Sequence, residues 1–159
     1  NRIELPIGIE GEFGVIKHPG AALAVPITNE GQVIILRQYR FAVSMRILEF
    51  PAGTLEEGED PLDSMKRELA EEAGYKASKW DSLGKMLPCP GYSDEIIYLF
   101  LARDLNKLKK KPDGDADEDI EVLKMDPEKL NKVIASGEET LDGKSITAWF
   151  RACQILNIK

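Results

Sequence analysis

The chain has 159 residues, 43% hydrophobic and 31% charged, with a formal net charge of −7. This is the size and composition of one packed domain with its own core. The acidic balance excludes general nucleic-acid binding, which needs Lys and Arg to neutralise phosphates, but it admits a small phosphorylated ligand if divalent cations lie between ligand and protein.

No window approaches 18 uninterrupted apolar residues, so no membrane span is expected, and no charged-then-apolar leader follows Asn1. Cys89 and Cys153 form neither a zinc pattern nor a disulfide framework, and they read as reduced thiols of a cytoplasmic protein. With His18 as the single histidine, a histidine-rich metal site and a Ser–His–Asp machine are both excluded.

In chain order, the N-terminal third reads as β. Glu12 to Lys17 and Ala21 to Ile27 are expected strands, and Asn29-Glu30-Gly31 is a turn signal. Gln32 to Tyr39 carries the apolar run Val33 to Leu36, and Arg46 to Phe50 is a further strand stopped by Pro51. A helix then starts at Asp60, an N-cap residue, with Pro61 at the first helical position. Leu62, Met65, Leu69 and Ala73 make one buried stripe, and Gly74 ends it. Trp80 to Leu87 and Glu95 to Ala102 read as strands, and Lys109 to Asp119 as a charged mobile loop. Ile120 to Met125 is a strand. Asp126-Pro127 opens a helix to about Ser136, and a last helix runs from about Lys144 to Leu156 with Ile146, Trp149, Phe150, Cys153 and Leu156 inward. This order implies mixed sheets packed between helices.

Residues 53 to 75 read GTLEEGEDPLDSMKRELAEEAGY. Glu68, Glu71 and Glu72 stand at i, i+3 and i+4 and so are neighbours on a helix, flanking the apolar stripe. Three carboxylates that close repel one another. A hard divalent cation relieves the repulsion, and Mg²⁺ prefers a few carboxylates plus phosphate and water. Such cations polarise phosphoryl oxygens and lower the pKa of an attacking water. Glu-rich helix faces are usually only solvated. What distinguishes this one is Gly53, Glu59, Arg67 and Gly74 at fixed offsets around it. The segment resembles the Nudix box, G-x5-E-x7-R-E-U-x-E-E-x-G-U, where U is bulky and apolar. Every fixed position matches, and the final U position is Tyr75 where an aliphatic residue is usual.

The resemblance implies the Nudix fold, an α/β/α sandwich with a mixed β-sheet, spanning residues 1–159 as a single domain, and a hydrolase that cleaves pyrophosphates. It implies metal ligation by Glu68, Glu71, Glu72 and the backbone carbonyl of Ala52, and an orienting role for Arg67, paired with the box glutamates. Mg²⁺ is the expected cofactor, with Mn²⁺ as the alternative.

The flanks narrow the branch. Arg37-Gln38-Tyr39-Arg40, Glu49-Phe50-Pro51-Ala52-Gly53 and Cys89-Pro90-Gly91-Tyr92-Ser93-Asp94-Glu95 resemble the ADP-ribose and nucleoside-diphosphate-sugar pyrophosphatases, whose marker proline lies where Pro90 stands, about 16 residues beyond Gly74. The resemblance covers about residues 20 to 125. It implies substrate contacts from Arg37, Arg40, Glu49, Ser93 and Glu95, with the arginines at the nucleotide end. Asp115-Ala116-Asp117-Glu118-Asp119-Ile120 resembles the acidic loop that supplies the catalytic base. The register favours Glu118 as base or further metal ligand, while in some relatives the base stands two residues earlier, at Ala116, with Asp115 and Asp117 beside it. The implied reaction converts ADP-ribose to AMP and ribose 5-phosphate. A broad or GDP-mannose-type hydrolase is the alternative, and a non-catalytic Nudix-like binding module is the remote one. A small nucleotide sugar, no nucleic acid and no membrane are the expected partners, with a homodimer whose interface includes residues 1 to 18.

Overall fold

The computed structural model describes residues 2–112 and 119–158. The chain opens with an antiparallel hairpin, β1 (Arg2–Glu4) against β2 (Glu10–Glu12). Then come β3 (Ala21–Pro26), β4 (Val33–Arg40), β5 (Met45–Glu49) and the short β6 (Ala52–Thr54). Helix α1 (Pro61–Glu68) runs into a π-helical turn over Leu69–Ala73. Long strands β7 (Tyr75–Met86) and β8 (Ile97–Lys107) follow, then β9 (Ile120–Met125), α2 (Pro127–Ser136) and α3 (Gly143–Leu156).

A four-stranded sheet has the order β6-β3-β8-β7, with β3 and β8 parallel and the other pairs antiparallel. A second, antiparallel sheet has the order β5-β4-β9. Strand β3 is buried at all six positions because helices cover both faces. Leu23 and Val25 join Leu99, Leu101, Phe50, Leu130 and Trp149 in the core under α2 and α3. Ala22 and Ala24 point the other way, into the core with Met65, Leu69 and Ala73. Their small side chains let α1 approach the sheet closely. This is the layered α/β/α arrangement expected from the sequence.

Several boundaries differ from expectation. Residues 13–15 hold no strand, and Ile16 makes a single bridge to Ser93 instead. Its N–H donates to the Tyr92 carbonyl at 2.8 Å, so this backbone pairs with a loop and has no ladder to extend. Strands β7 and β8 are longer than their apolar runs, because they pair with each other through segments whose charged residues face solvent. Strand β6 was not anticipated: three residues after Pro51 are too few to show a period, and they become a strand by pairing with β3.

The box helix is not α-helical to Ala73. Its last turn widens to π geometry, with Gly74 closing it at φ 74°, a left-handed conformation that glycine adopts without strain. In α3, Ile146 and Phe150 do not face inward: they are 39% and 65% exposed. The buried stripe is Ser145, Ala148, Trp149, Ala152 and Cys153, whose i, i+3, i+4 spacing leaves Phe150 one step past the covered face. Of the expected loop, residues 113–118 lie outside the described residues.

This packing predicts that Leu99→Ala, at a fully buried site in the central strand, destabilises the protein by about 3 kcal/mol, cavity cost included. Phe150→Ala should cost less than about 1 kcal/mol. Urea unfolding of the two variants measures both.

Candidate active site

The box loop is built by local bonds. Glu59 Oε2 accepts from the Glu56 N–H at 3.0 Å, and Asp60 caps α1 by accepting from the Leu62 and Asp63 N–H groups at 2.9 and 3.2 Å. Met65 and Leu69, both fully buried, hold the helix down, and this aims Arg67, Glu68 and Glu72 along β6. A Cβ on Gly53 would overlap the Glu68 carboxyl, so glycine permits the close approach. Glu72 is 3% exposed, and its Oε2 accepts from the Ala52 N–H at 2.8 Å.

Arg67 lies among the remaining acids. Its Nη1 donates to Glu68 Oε1 at 2.7 Å and to Glu71 Oε2 at 3.1 Å, and its Nη2 lies 3.4 Å from Glu59 Oε1. Burial works against the guanidinium charge, but Glu68, Glu71 and Glu59 outweigh it and raise the pKa above its ordinary value. The Glu56 N–H, with Arg67, holds Glu59 below the usual carboxylate range despite opposing desolvation. Gln38, Arg40, Ala52, Gly53, Thr54, Glu56, Arg67, Glu68 and Glu72 enclose a polar cleft of about 320 Å³.

A second cavity of about 450 Å³ adjoins it, sharing Arg40, Ala52, Gly53 and Thr54. Its further walls are Ala21, Met86, Pro88, Cys89, Glu95, Ile97 and residues 142–144. Here Glu49 is 2% exposed. Arg40 grips it through both oxygens, Nε to Oε2 at 2.7 Å and Nη2 to Oε1 at 3.1 Å, and Lys144 Nζ donates to Oε1 at 2.6 Å. Lys144 also pairs with Asp142. Burial pushes the Glu49 carboxyl up, but the two cations outweigh it, and the net shift is downward. The Lys144 ammonium is pulled below its ordinary pKa by desolvation, opposed by Glu49.

The structure thus gathers Arg40, Glu95, Ala52, Arg67, Glu68 and Glu72 around two joined cavities, while Glu49 lines neither and instead holds Arg40. Glu71 meets Arg67 beside them. Glu95 lies 3.7 Å from His18 Nδ1, and Ser93 Oγ accepts the Glu95 N–H at 3.2 Å, so Ser93 braces that loop. Arg37 lines neither cavity: it pairs with Glu121 at 3.0 Å and Glu139 at 2.7 Å. Its side chain faces away from Arg40, because positions three apart on a strand lie on opposite faces. Glu118, Asp115, Asp117 and Ala116 lie outside the described residues. Lys144 and Asp142 are the residues that sequence reading passed over. An Asp N-cap was legible at Asp142, but no spacing points from Lys144 to a carboxylate 95 residues away.

Glu49 gives a pH test. Its lowered pKa means that the ionised form stabilises the fold above the unfolded value near 4.5, and this contribution is lost as pH falls through the folded value. Glu49→Gln should cost about 3 kcal/mol at pH 7, because it removes the buried carboxylate that Arg40 and Lys144 share. The gap to the parent should narrow below about pH 4.5, as read by urea unfolding at stepped pH.

The NUDIX domain profile matches residues 17–150. The chain is 40% identical over 157 residues to the ADP-ribose pyrophosphatase of Bacillus subtilis (strain 168), covering 99% of this chain and 82% of that protein. It is 31% identical over 134 residues to a GDP-mannose pyrophosphatase of Escherichia coli, covering 80% of this chain and 69% of the relative. In fold it is similar to a solved ADP compounds hydrolase, with a TM-score of 0.85 at 22% identity over 98% of this chain and 83% of that one. The intact box at its cleft, the layered fold and the profile match place the chain in the Nudix hydrolase family.

Proposed function

We propose that the chain hydrolyses the pyrophosphate of nucleoside diphosphate sugars, with ADP-ribose as the preferred substrate and AMP and ribose 5-phosphate as products. The observation that carries this reading is the common wall of the two cavities. Arg40, Ala52, Gly53 and Thr54 border both the acidic cleft and the larger cavity. A pyrophosphate lying along that wall reaches the box carboxylates, while one of its ends fills the larger cavity. The relatives' names support the same substrate class.

The donor set fits a hard divalent cation. Glu68 and Glu72 give carboxylate oxygens to one cleft, with the Ala52 backbone at its edge. No preassembled cluster of three acidic, His or Cys groups exists among the described residues, since Arg67 occupies Glu68 and Glu71. Glu68, Glu71, Glu72 and the Ala52 carbonyl would hold the metal, Mg²⁺ in this reading and Mn²⁺ as its substitute. Bound there, the metal supplies charge neutralisation for phosphoryl oxygens and a lowered pKa for water.

The chain's own residues do the rest. Arg67 keeps the box glutamates oriented. Arg40 on the wall and Glu95 in the cavity receive the nucleotide sugar, with Glu49 holding Arg40 and within reach of substrate only beside it, and Ser93 places Glu95. Arg37 enters this reading only if substrate draws it from Glu121 and Glu139. Glu118 takes the proton of the water that attacks phosphorus, as the bridging P–O bond breaks. The proton acceptor in this reading thus comes from the segment before β9, and the metal donors come from α1, its π turn and β6.

The whole of residues 1 to 159 acts as one domain in this reading. The reading also takes the chain as a cytoplasmic homodimer whose N-terminal segment contributes to the interface. Ile7, Ile9 and Ile16, 76%, 56% and 58% exposed, give that segment an apolar surface to cover. No helix among the described residues is long and apolar enough to cross a membrane.

The test is hydrolysis of ADP-ribose, GDP-mannose, UDP-glucose, NADH and a nucleoside triphosphate with Mg²⁺. ADP-ribose should give the highest kcat/KM, and Glu72→Gln should lower that value at least about 100-fold with a cooperative melt retained. Highest activity on GDP-mannose would favour the second reading, for which the Escherichia coli relative speaks. Inactivity on the whole panel would refute the hydrolase. For the base, Glu118→Gln should lower kcat more than Asp115→Asn or Asp117→Asn. A near-neutral Glu118→Gln moves the role to one of its neighbours.

A further inference from the structure

Lys144 is a buried ammonium outside the box, facing the larger cavity with 18% of its side chain exposed. It joins two carboxylates, Glu49 at 2.6 Å and its near neighbour Asp142. The same stretch is tied to the end of β5 at successive residues. The Leu48 N–H donates to the Thr140 carbonyl at 2.8 Å, and the Phe50 N–H donates to Ser145 Oγ at 2.9 Å. The Asp142 carboxylate caps the Ser145 N–H at 2.8 Å. The start of α3 is therefore clamped along residues 48–50, and Lys144 carries that clamp to the cavity.

Arg40 depends on this arrangement. It stands on the wall common to both cavities, yet its side chain is 43% exposed while that of Glu49 is 3% exposed. A long, half-exposed guanidinium has many rotamers. Here it is fixed by a two-point grip on a carboxylate that cannot itself move. Arg40 and Lys144 both bond Glu49, and Lys144 also bonds Asp142. Lys144 Nζ bonds the same Glu49 oxygen, Oε1, that Arg40 Nη2 bonds, so both cations set the orientation of that carboxylate.

Resting on the substrate reading above, we propose that Lys144 is a positioning residue for substrate: by holding Glu49 and Asp142, it fixes the Arg40 guanidinium on the wall between the two cavities. It acts through Arg40 and makes no contact with the reacting atoms. Contacts along the body of a substrate are made equally in the ground and transition states, so their loss appears in KM rather than kcat.

The experiment is steady-state hydrolysis of ADP-ribose with Mg²⁺ by the parent, Lys144→Met, Lys144→Arg, Arg40→Ala and the Arg40→Ala/Lys144→Met double variant. Thermal melts confirm that each is folded at the assay temperature, and Lys144→Gln replaces any Lys144→Met protein that is not. Lys144→Met should raise KM about tenfold with kcat within about twofold, and Lys144→Arg should restore most of the loss. In the Arg40→Ala background, Lys144→Met should raise KM less than about twofold further. A purely structural lysine would lower the melting temperature and leave the KM of the folded enzyme unchanged, and that result overturns the proposal. So does a full tenfold effect in the Arg40→Ala background. A parent inactive on ADP-ribose would overturn the substrate reading and this inference together. An active parent with an additive cycle removes the role of Lys144 alone.

Discussion

The Glu72 carboxylate accepting the Ala52 N–H is the contact on which the site depends. It ties the last turn of the box helix to β6, and a carboxylate 3% exposed needs hydrogen-bond partners to offset its burial. With that tie made, Glu68 must pass over Gly53, where a side chain would collide with it. Arg67 is then left facing Glu59, Glu68 and Glu71. The π turn belongs to the same constraint. Widening the helix over Leu69–Ala73 buries Leu69, Ala73 and Glu72 together, and helices commonly widen in this way at functional sites.

Charge is arranged in two separate groups around the shared wall. On the helix side, one arginine serves three box acids, so the cleft keeps an excess of negative charge. That suits a cation and repels a bare phosphate. On the cavity side, Arg40 and Lys144 offset Glu49 and Asp142. The chain's net charge of −7 thus coexists with two cations on the cavity side.

The box was legible because its chemistry is local. Cap, stripe and glutamates lie within one stretch of helix, and their offsets give both the geometry and the donors. The layered fold followed from the order of strands and helices and from the resemblance of the box. The π turn was not legible, since Leu69 and Ala73 fit an α period equally well, and only Ala52 across the cleft distinguishes them. Nor was Arg37 separable from Arg40. Both close an apolar strand, and it is the opposite facing of the two positions, with Glu121 and Glu139 waiting for Arg37, that divides them. Lys144 was invisible for the same reason, because its partner comes from the far end of the chain.

The central claim is that Gly53 lets the box carboxylates converge into a divalent-cation site. Mn²⁺ binding to the parent and to Gly53→Ala, followed by the loss of the free-ion electron paramagnetic resonance signal, tests it without reference to any substrate. The account predicts that the parent binds Mn²⁺ and that Gly53→Ala binds it at least about tenfold more weakly, with its melting temperature close to the parent's. Equal Mn²⁺ affinity in the two proteins would contradict it.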